Sequence, residues 1–129
     1  MSGKGNVRAL FDTNIIIDYL QGDERAKHEI DRFDERYISV ITYIEVLVGV
    51  KDKDDGAKIK MFLKTFQIIP HEGEIVEKTI ALRQTYRLKI PDAVILASAE
   101  HHSALLVTRD VKDYPSNHPL TRVPYTFTV

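Results

Sequence analysis

Short apolar runs alternate with longer amphipathic segments along most of the chain, and this alternation is the feature that most restricts the fold. Two strands joined through a helix form a parallel pair, and the helix packs on a face of the sheet. The pattern therefore predicts an α/β fold with a mainly parallel sheet of four to five strands, covered by helices on both faces. The predicted strands are 7–11, 37–41, 66–69, 104–108 and, at the edge, 125–129. The predicted helices are 15–20 capped by Asn14, 23–33, 42–50, 57–65 after a charged loop at 51–56, 73–86 and 93–102.

Length and composition narrow the class of protein further. With 129 residues, of which 43% are hydrophobic and 29% charged, we expect one domain over 1–129 with a sizeable core. The absence of cysteine excludes disulfides and thiolate zinc sites, and it fits a reducing, cytoplasmic location. Residues 1–5 are expected to be a disordered terminus rather than a signal peptide, and no apolar run approaches the roughly 20 residues of a membrane helix. The net charge of −1 excludes a strongly basic coat for nucleic acid.

Four acidic residues fall at corresponding places in this pattern. Asp12 and Asp110 follow predicted strands, Glu45 lies one helical turn after a strand, and Asp92 opens the helix that leads into strand 104–108. In a parallel sheet these places lie on one rim, where ligands bind. At about 5 Å and an effective dielectric of ~20, each carboxylate pair costs roughly 3 kcal/mol. Such a cluster must take up protons or bind a cation, and carboxylate oxygens suit hard ions such as Mg²⁺.

Each acid also has a structural interpretation. Thr42 and Glu45 have the spacing of a capping box, in which the glutamate bonds back to the start of its own helix. Asp92 follows Pro91 in a first helical turn, where the helix dipole favours a carboxylate. The other two acids could serve as turn or cap residues. The argument for a site therefore depends on their shared location rather than on any one of them.

Four blocks of the sequence, in this order and spacing, resemble the PIN-domain ribonucleases. They are residues 10–15 (LFDTNI), 42–45 (TYIE), 91–99 (PDAVILASA) and 106–110 (LVTRD). The greatest likeness is to the VapC-type toxins of prokaryotic toxin–antitoxin pairs. The resemblance implies a single PIN-like domain with a three-layer α/β/α sandwich, and an endoribonuclease that uses Mg²⁺ or Mn²⁺. It also implies an RNA substrate, a cognate antitoxin and a homodimer, or a heterotetramer or larger assembly with the antitoxin.

Carried over by position, the resemblance makes Asp12, Glu45, Asp92 and Asp110 both the metal ligands and the catalytic acids. Thr13, Asn14 and Thr108 would support them, with Thr108 orienting water or a carboxylate beside the site. Asp113 is a second candidate for the last acid, because 108–114 holds two aspartates. We predict Asp110, which is nearer the strand end.

Other functions make different demands on the sequence. A receiver-type signalling domain needs an aspartate at the end of its third strand, whereas this strand ends at Ile69 and Pro70. An aspartyl phosphatase needs a second acid where this chain has Asn14. A catalytically inactive PIN-like binding module would keep the fold without the chemistry, and only an activity measurement separates it from the nuclease.

The sequence also suggests where partners would bind. The resemblance implies that an antitoxin tail lies on an apolar groove, which we place between helices 15–20 and 57–66, and that its positive side chain enters the acidic cleft. The candidate groove residues on these helices are Ile16, Tyr19, Phe62 and Phe66, and for most of them ordinary core is the alternative interpretation. The candidate contacts to RNA phosphates are Arg8, Arg87, Lys89 and Arg109.

Overall fold

Five strands form one sheet in the order β3-β2-β1-β4-β5, and every neighbouring pair is parallel. The computed structural model describes residues 7–127. The strands are β1 (Arg8–Phe11), β2 (Glu35–Ser39), β3 (Gln67–Ile69), β4 (Leu105–Val107) and β5 (Thr121–Arg122). The helices of this part of the chain are α1 (Thr13–Leu20), α2 (Glu24–Asp31), α3 (Val40–Val48), α4 (Lys53–Leu63), α5 (Glu74–Tyr86) and α6 (Ile90–His102).

Side chains of the strands point alternately to the two faces of the sheet and build two separate cores. From β1, Leu10 enters the core on the face covered by α5 and α6. Its neighbours Ala9 and Phe11 enter the core on the face covered by α1 to α4. The rings of Phe33 and Phe66 pack edge-to-face on Phe11, at centroid distances of 6.0 and 5.9 Å. The predicted three-layer α/β/α arrangement is therefore confirmed.

The strand order places a crevice between β1 and β4. The chain builds the sheet outward from β1 through β2 to β3, and then returns to the other side of β1 to form β4 and β5. The connections that follow β1 and β4 therefore run in opposite directions across the sheet. Open parallel sheets bind ligands at such a switch point, beyond the carboxyl ends of the two strands. The register pairs Phe11 with Val107, and the Asp12 amide donates to the Val107 carbonyl at 2.9 Å. Asp12 and Thr108 consequently stand side by side at this crevice.

Four helices begin two to four residues before the predicted start, and one of them is α6, which begins at Ile90 instead of residue 93. Asp12, not Asn14, caps α1, because Asp12 has extended backbone and its Oδ1 accepts the Thr13 amide. Ser39 caps α3, so that helix starts within the predicted strand 37–41. Asp52 caps α4 by accepting the amides of the two following aspartates, so part of the predicted charged loop is the first turn of a helix.

The predicted edge strand at 125–129 is wrong as far as the structure describes it. Residues 125–127 are not in a strand, and 128–129 lie outside the described residues. Strand β5 forms the edge of the sheet, and the Thr108 amide donates to the Arg122 carbonyl at 3.0 Å. Pro124 has no N–H to continue the ladder, which explains why the strand is so short.

Within residues 7–127, none of the helices combines the length and the apolar character needed to cross a membrane. The expectation of a disordered terminus at residues 1–5 falls outside the described residues.

Candidate metal site at the switch point

Asp12 is the centre of the candidate site, and its side chain is held by four neighbours. It is 6% exposed. Its Oδ1 accepts the Thr13 amide at 2.8 Å, and its Oδ2 accepts the hydroxyls of Thr108 at 2.8 Å and Tyr114 at 3.0 Å. Asn14 Nδ2 lies 3.5 Å from the same Oδ2. Burial raises the pKa of the Asp12 carboxyl, and the hydrogen bonds from Thr108, Thr13 and Tyr114 oppose that rise.

Glu45 reaches the site from α3 through a pair of threonines. The Thr13 hydroxyl donates to Glu45 Oε1 at 2.7 Å and lies 2.9 Å from the Thr42 hydroxyl. Because Ser39 caps this helix, the capping-box interpretation of Thr42 and Glu45 is wrong. Thr42 and Glu45 both lie within α3, where the Thr42 side chain is buried in the protein and Glu45 is exposed. The charge of Glu45 also contributes to raising the pKa of Asp12.

Asp92 lies in the first turn of α6, beside the other carboxylates. Its pKa is raised to about 6 by partial burial and then by the charges of Asp113, Asp12 and Asp110, against the opposing charge of Lys89. Burial is the largest cause of this rise, and the repulsion from the three neighbouring aspartates adds to it. The structure therefore brings α6 and the loop after β4 together with Asp12.

Asp110 and Asp113 form a pair in the loop after β4. Their carboxyl groups interact with each other, and this interaction lowers the pKa of Asp110 and raises the pKa of Asp113. Asp110 also accepts the Lys112 amide at 3.1 Å. Among the charges that act on Asp92, Asp113 is the strongest and Asp110 the weakest of the acids, and Asp113 also interacts with Asp12. Asp113 therefore interacts more strongly than Asp110 with Asp92.

Tyr114 is a member of the site that the sequence analysis missed. Its ring is 5% exposed, and its hydroxyl donates to Asp12. Burial and the nearby carboxylates Asp12 and Asp92 raise the pKa of this hydroxyl, so it stays a hydrogen-bond donor at neutral pH. A tyrosine directly after an acid has no distinctive sequence pattern, and only the path of the loop brings it under Asp12.

The donor set suits a hard divalent ion, although the described residues hold no ready-made coordination shell. Among residues 7–127, no three acidic or histidine side chains converge closely enough to grip an ion as they stand. Their charges nevertheless interact, since Asp12 is influenced by Glu45, and Asp92 by Asp12, Asp110 and Asp113. An all-oxygen set of this kind matches Mg²⁺ or Mn²⁺, and an ion there would relieve the mutual repulsion of the acids.

The candidate phosphate contacts do not share one environment. Lys89 is exposed at the start of α6, and its charge acts on both Asp92 and Asp113. Arg8 begins β1, at the end of the strand opposite to the site, and pairs with Glu35 at 3.5 Å. Arg109 is bound to Asp18 at 2.6 Å. Arg87 is exposed just after α5. Of these four cations, Lys89 is the one whose charge acts on both Asp92 and Asp113.

An apolar groove of about 440 Å³ runs next to the site, between α1, α3 and the start of α4. Its wall on α1 is formed by Ile17 and Leu20, and Glu45 lines the end toward the acids. Two of the groove residues predicted from the sequence, Ile16 and Phe66, are instead core residues, with 0% and 4% exposure. The remaining apolar lining residues are Val46, Val50 and Ile59.

Comparisons with known proteins agree with this architecture. Residues 9–113 match the family model of the PIN domain. The chain is 25% identical over 112 residues to Ribonuclease VapC1 of Methanocaldococcus jannaschii, a match that covers 87% of this chain and 75% of that protein.

Solved structures give the same result. A chain of a toxin–antitoxin complex from Klebsiella pneumoniae is 43% identical, with a TM-score of 0.87 over 92% of this chain and 99% of that one. A chain of VapBC2 from Rickettsia felis, solved bound to a fragment of promoter DNA, shares the fold, with a TM-score of 0.72 and 20% identity over 82% of this chain and 90% of that one. The family match spans β1 through the loop after β4 and includes all the candidate acids, so the chain belongs to the PIN-domain family.

Proposed function

We propose that this protein is a metal-dependent endoribonuclease and the toxin of a toxin–antitoxin pair. The observation that carries the proposal is a buried carboxylate, Asp12, at the switch point of a parallel sheet, with Asp92 and Asp113 close enough for their charges to interact. The similarity to a VapC ribonuclease and to a chain of a toxin–antitoxin complex supports the reaction and the biological role. A toxin that cuts RNA meets its substrate in the cytoplasm, where we place it.

In this proposal Asp12, Glu45 and Asp92 hold one or two Mg²⁺ or Mn²⁺ ions, and the Asp110–Asp113 pair completes the set. A divalent ion bound there would supply a Lewis acid for the phosphodiester and lower the pKa of water. The chain's own groups keep the acids in place for it. Thr13, Thr42, Thr108 and Tyr114 are the hydroxyl groups that fix Asp12 and Glu45.

The substrate is expected to be single-stranded or looped RNA. Such a backbone can enter a narrow acidic crevice, whereas a regular duplex cannot. Lys89 is placed to meet a phosphate next to Asp92 and Asp113, because it is exposed and already interacts with both. Contacts to phosphate position the backbone, and they leave the choice of sequence to the surrounding surface.

The direct test is cleavage of RNA by the purified protein. We expect single-stranded RNA to be cut when Mg²⁺ or Mn²⁺ is added, and cleavage to stop with excess EDTA and to return when metal is restored. The alternative of a catalytically inactive PIN-like binding module predicts intact RNA in every lane while the metal still binds. Cleavage that continues unchanged in EDTA would contradict the metal-dependent mechanism.

The pKa of Asp92 makes binding of the ion dependent on pH. A proton on this carboxyl competes with the metal below its pKa of about 6. We expect the affinity for Mn²⁺, measured by calorimetry, to fall about tenfold between pH 6 and pH 5. In the metal-free protein, the effect of low pH on stability is the opposite of its effect on metal affinity. Because the pKa of Asp92 is raised in the folded state, its proton binds the folded protein more tightly than the unfolded chain, and low pH stabilises the fold. The Tm difference between wild type and Asp92→Asn should therefore shift in favour of the variant as the pH rises through about 6.

The partner in this proposal is a small antitoxin, whose apolar segment fills the groove along α1 and places a basic side chain near Glu45. The groove is apolar along Ile17 and Leu20 and ends at this acid, which fits such a segment. We expect Ile17→Glu to weaken binding of the cognate antitoxin about tenfold or more. Ile80→Glu, on the opposite face of the sheet and 48% exposed, is the matched control. Equal binding by both variants would contradict the groove as the docking site. Light scattering on the same preparations tests the homodimer that we expect for the toxin.

A further inference from the structure

A second buried carboxylate, Asp18, lies on α1 one turn after Asn14 and has no part in the reaction proposed above. Its side chain is 3% exposed, and a buried carboxylate is costly unless it is paired. Arg109 Nε donates to Asp18 Oδ2 at 2.6 Å and Nη2 donates to Oδ1 at 3.3 Å. The Tyr125 hydroxyl donates to Oδ2 at 2.9 Å. Asp18 is therefore satisfied within the chain, and we assign it no contact with a metal or with RNA.

Arg109 connects this ion pair to the acidic site through its own backbone. It stands between Thr108 and Asp110, and its amide lies 3.4 Å from Asn14 Oδ1. Asn14 Nδ2 donates to the Thr108 hydroxyl at 3.2 Å, and the Asp110 amide donates to the same hydroxyl at 3.0 Å. Helix α1 thus holds the loop after β4 at two successive turns, with the amide of Asn14 and with the carboxylate of Asp18.

The segment at 123–127 covers the ion pair from outside. The Phe127 ring centroid lies 4.1 Å from Arg109 Cζ. Arg25 Cζ lies 4.6 Å from the Tyr125 centroid and 5.1 Å from that of Phe127, so a second guanidinium holds the same two rings. Planar guanidinium groups stack well on aromatic faces. Tyr125 leaves the edge of the sheet and turns toward Asp18, which explains what this segment does instead of forming a strand.

We propose that the Asp18–Arg109 pair, covered by Tyr125 and Phe127, is a positioning device for the loop that carries Thr108, Asp110 and Asp113. The ion pair fixes the direction of the Thr108 hydroxyl toward Asp12. This inference rests on the proposed function in that the loop belongs to a nuclease site. Arg109 acts through the loop, so it is a positioning residue and not a phosphate contact. The guanidinium edge formed by Nε and Nη2 is engaged with Asp18 and is unavailable to RNA.

The experiment replaces Arg109 by lysine, which keeps the charge but cannot bond both carboxylate oxygens of Asp18 in the same plane. We expect kcat on a short single-stranded RNA to fall about 10- to 100-fold, as is typical when a group that orients metal ligands is altered. The KM should change less than about 3-fold, since no contact with RNA is removed. The affinity for Mn²⁺ alone should weaken, and hydrogen exchange at the amides of positions 109 and 110 should become about tenfold faster or more.

Arg25→Lys is the matched control, because Arg25 packs on the same two rings without touching the loop. It should keep wild-type values for kcat, Mn²⁺ affinity and the two amides. Tyr125→Phe, which removes one hydrogen bond to Asp18, should give a smaller change in the same direction as Arg109→Lys. A rise in KM with unchanged kcat, unchanged exchange at 109 and 110, or equal effects of Arg25→Lys would each overturn the proposal. If the wild-type protein cuts no RNA, the proposed function fails, and amide exchange together with Mn²⁺ affinity still decides the positioning role.

Discussion

Asp12→Asn is expected to lower the rate of RNA cleavage by about 10³-fold or more, which corresponds to roughly 4 kcal/mol of lost transition-state stabilisation. Asp12 is the acid at the switch point itself, next to Thr108 in the neighbouring strand end. Its replacement removes a negative charge from the centre of the set that we propose holds the ion. The amide has nearly the shape of the carboxylate, so the surrounding packing stays the same.

The stability of this variant separates chemistry from folding. Wild-type Asp12 is buried with a raised pKa, so the charged carboxylate opposes folding in the metal-free protein. The new amide can still accept the Thr13 N–H, but its NH2 faces the hydroxyls of Thr108 and Tyr114, which must turn to accept from it. These two effects oppose each other, so we expect Asp12→Asn to stay folded, with an unfolding temperature close to that of wild type without metal. Asp34→Asn, at an exposed position between α2 and β2, is the control and should leave cleavage unchanged. Cleavage by Asp12→Asn within about 3-fold of wild type would contradict the role we give to this residue.

Asp113→Asn is expected to have the second-largest effect, a loss of about 10²-fold in kcat. Asp113 is the neighbouring charge with the greatest effect on Asp92, and it also interacts with Asp12. Asp110→Asn should cost about tenfold or less, because Asp110 is the weakest of the acids acting on Asp92 and also bonds to the backbone of its own loop. This order departs from the choice that closeness to the strand end suggested.

The two variants form a matched pair, since each replaces one aspartate of the same interacting pair by the same amide. Measuring kcat, KM and Mn²⁺ affinity for both decides which one completes the site. If Asp110→Asn is the more damaging, the original prediction is right and Asp113 serves only to hold its neighbour. Equal effects would mean that the pair acts as one unit.

How far the site could be predicted depended on the kind of signal each residue leaves in the sequence. Asp12 follows a short apolar strand and Asp92 opens a helix. Such positions predict that both residues lie at the carboxyl edge of the sheet, without knowledge of side-chain contacts. Glu45 is harder to assign, because Thr42 and Glu45 also have the spacing of a capping box, and only the structure shows that Ser39 caps this helix. Tyr114 left no signal, since its contact with Asp12 spans 102 positions along the chain.

The parts of the fold that were mispredicted have local physical causes. The run at 51–56 looks like a charged loop, but Asp52 can cap a helix and the acids that follow favour its first turn. The segment at 125–127 has strand-like residues, yet Pro124 interrupts the ladder and Tyr125 bonds to Asp18 instead. Propensity gives no information on such a contact, because it depends on a helix more than 100 residues earlier.

The most direct test of the central claim is the number of divalent ions that the acidic cluster binds. Mn²⁺ can be titrated into the purified protein at pH 7.5 while the free ion is followed by its electron paramagnetic resonance signal. We predict one or two bound ions per chain for the wild type, and loss of that binding in Asp12→Asn with the fold retained. Wild-type protein that leaves all the Mn²⁺ free, or an Asp12→Asn variant that binds it as tightly as wild type, would contradict the account.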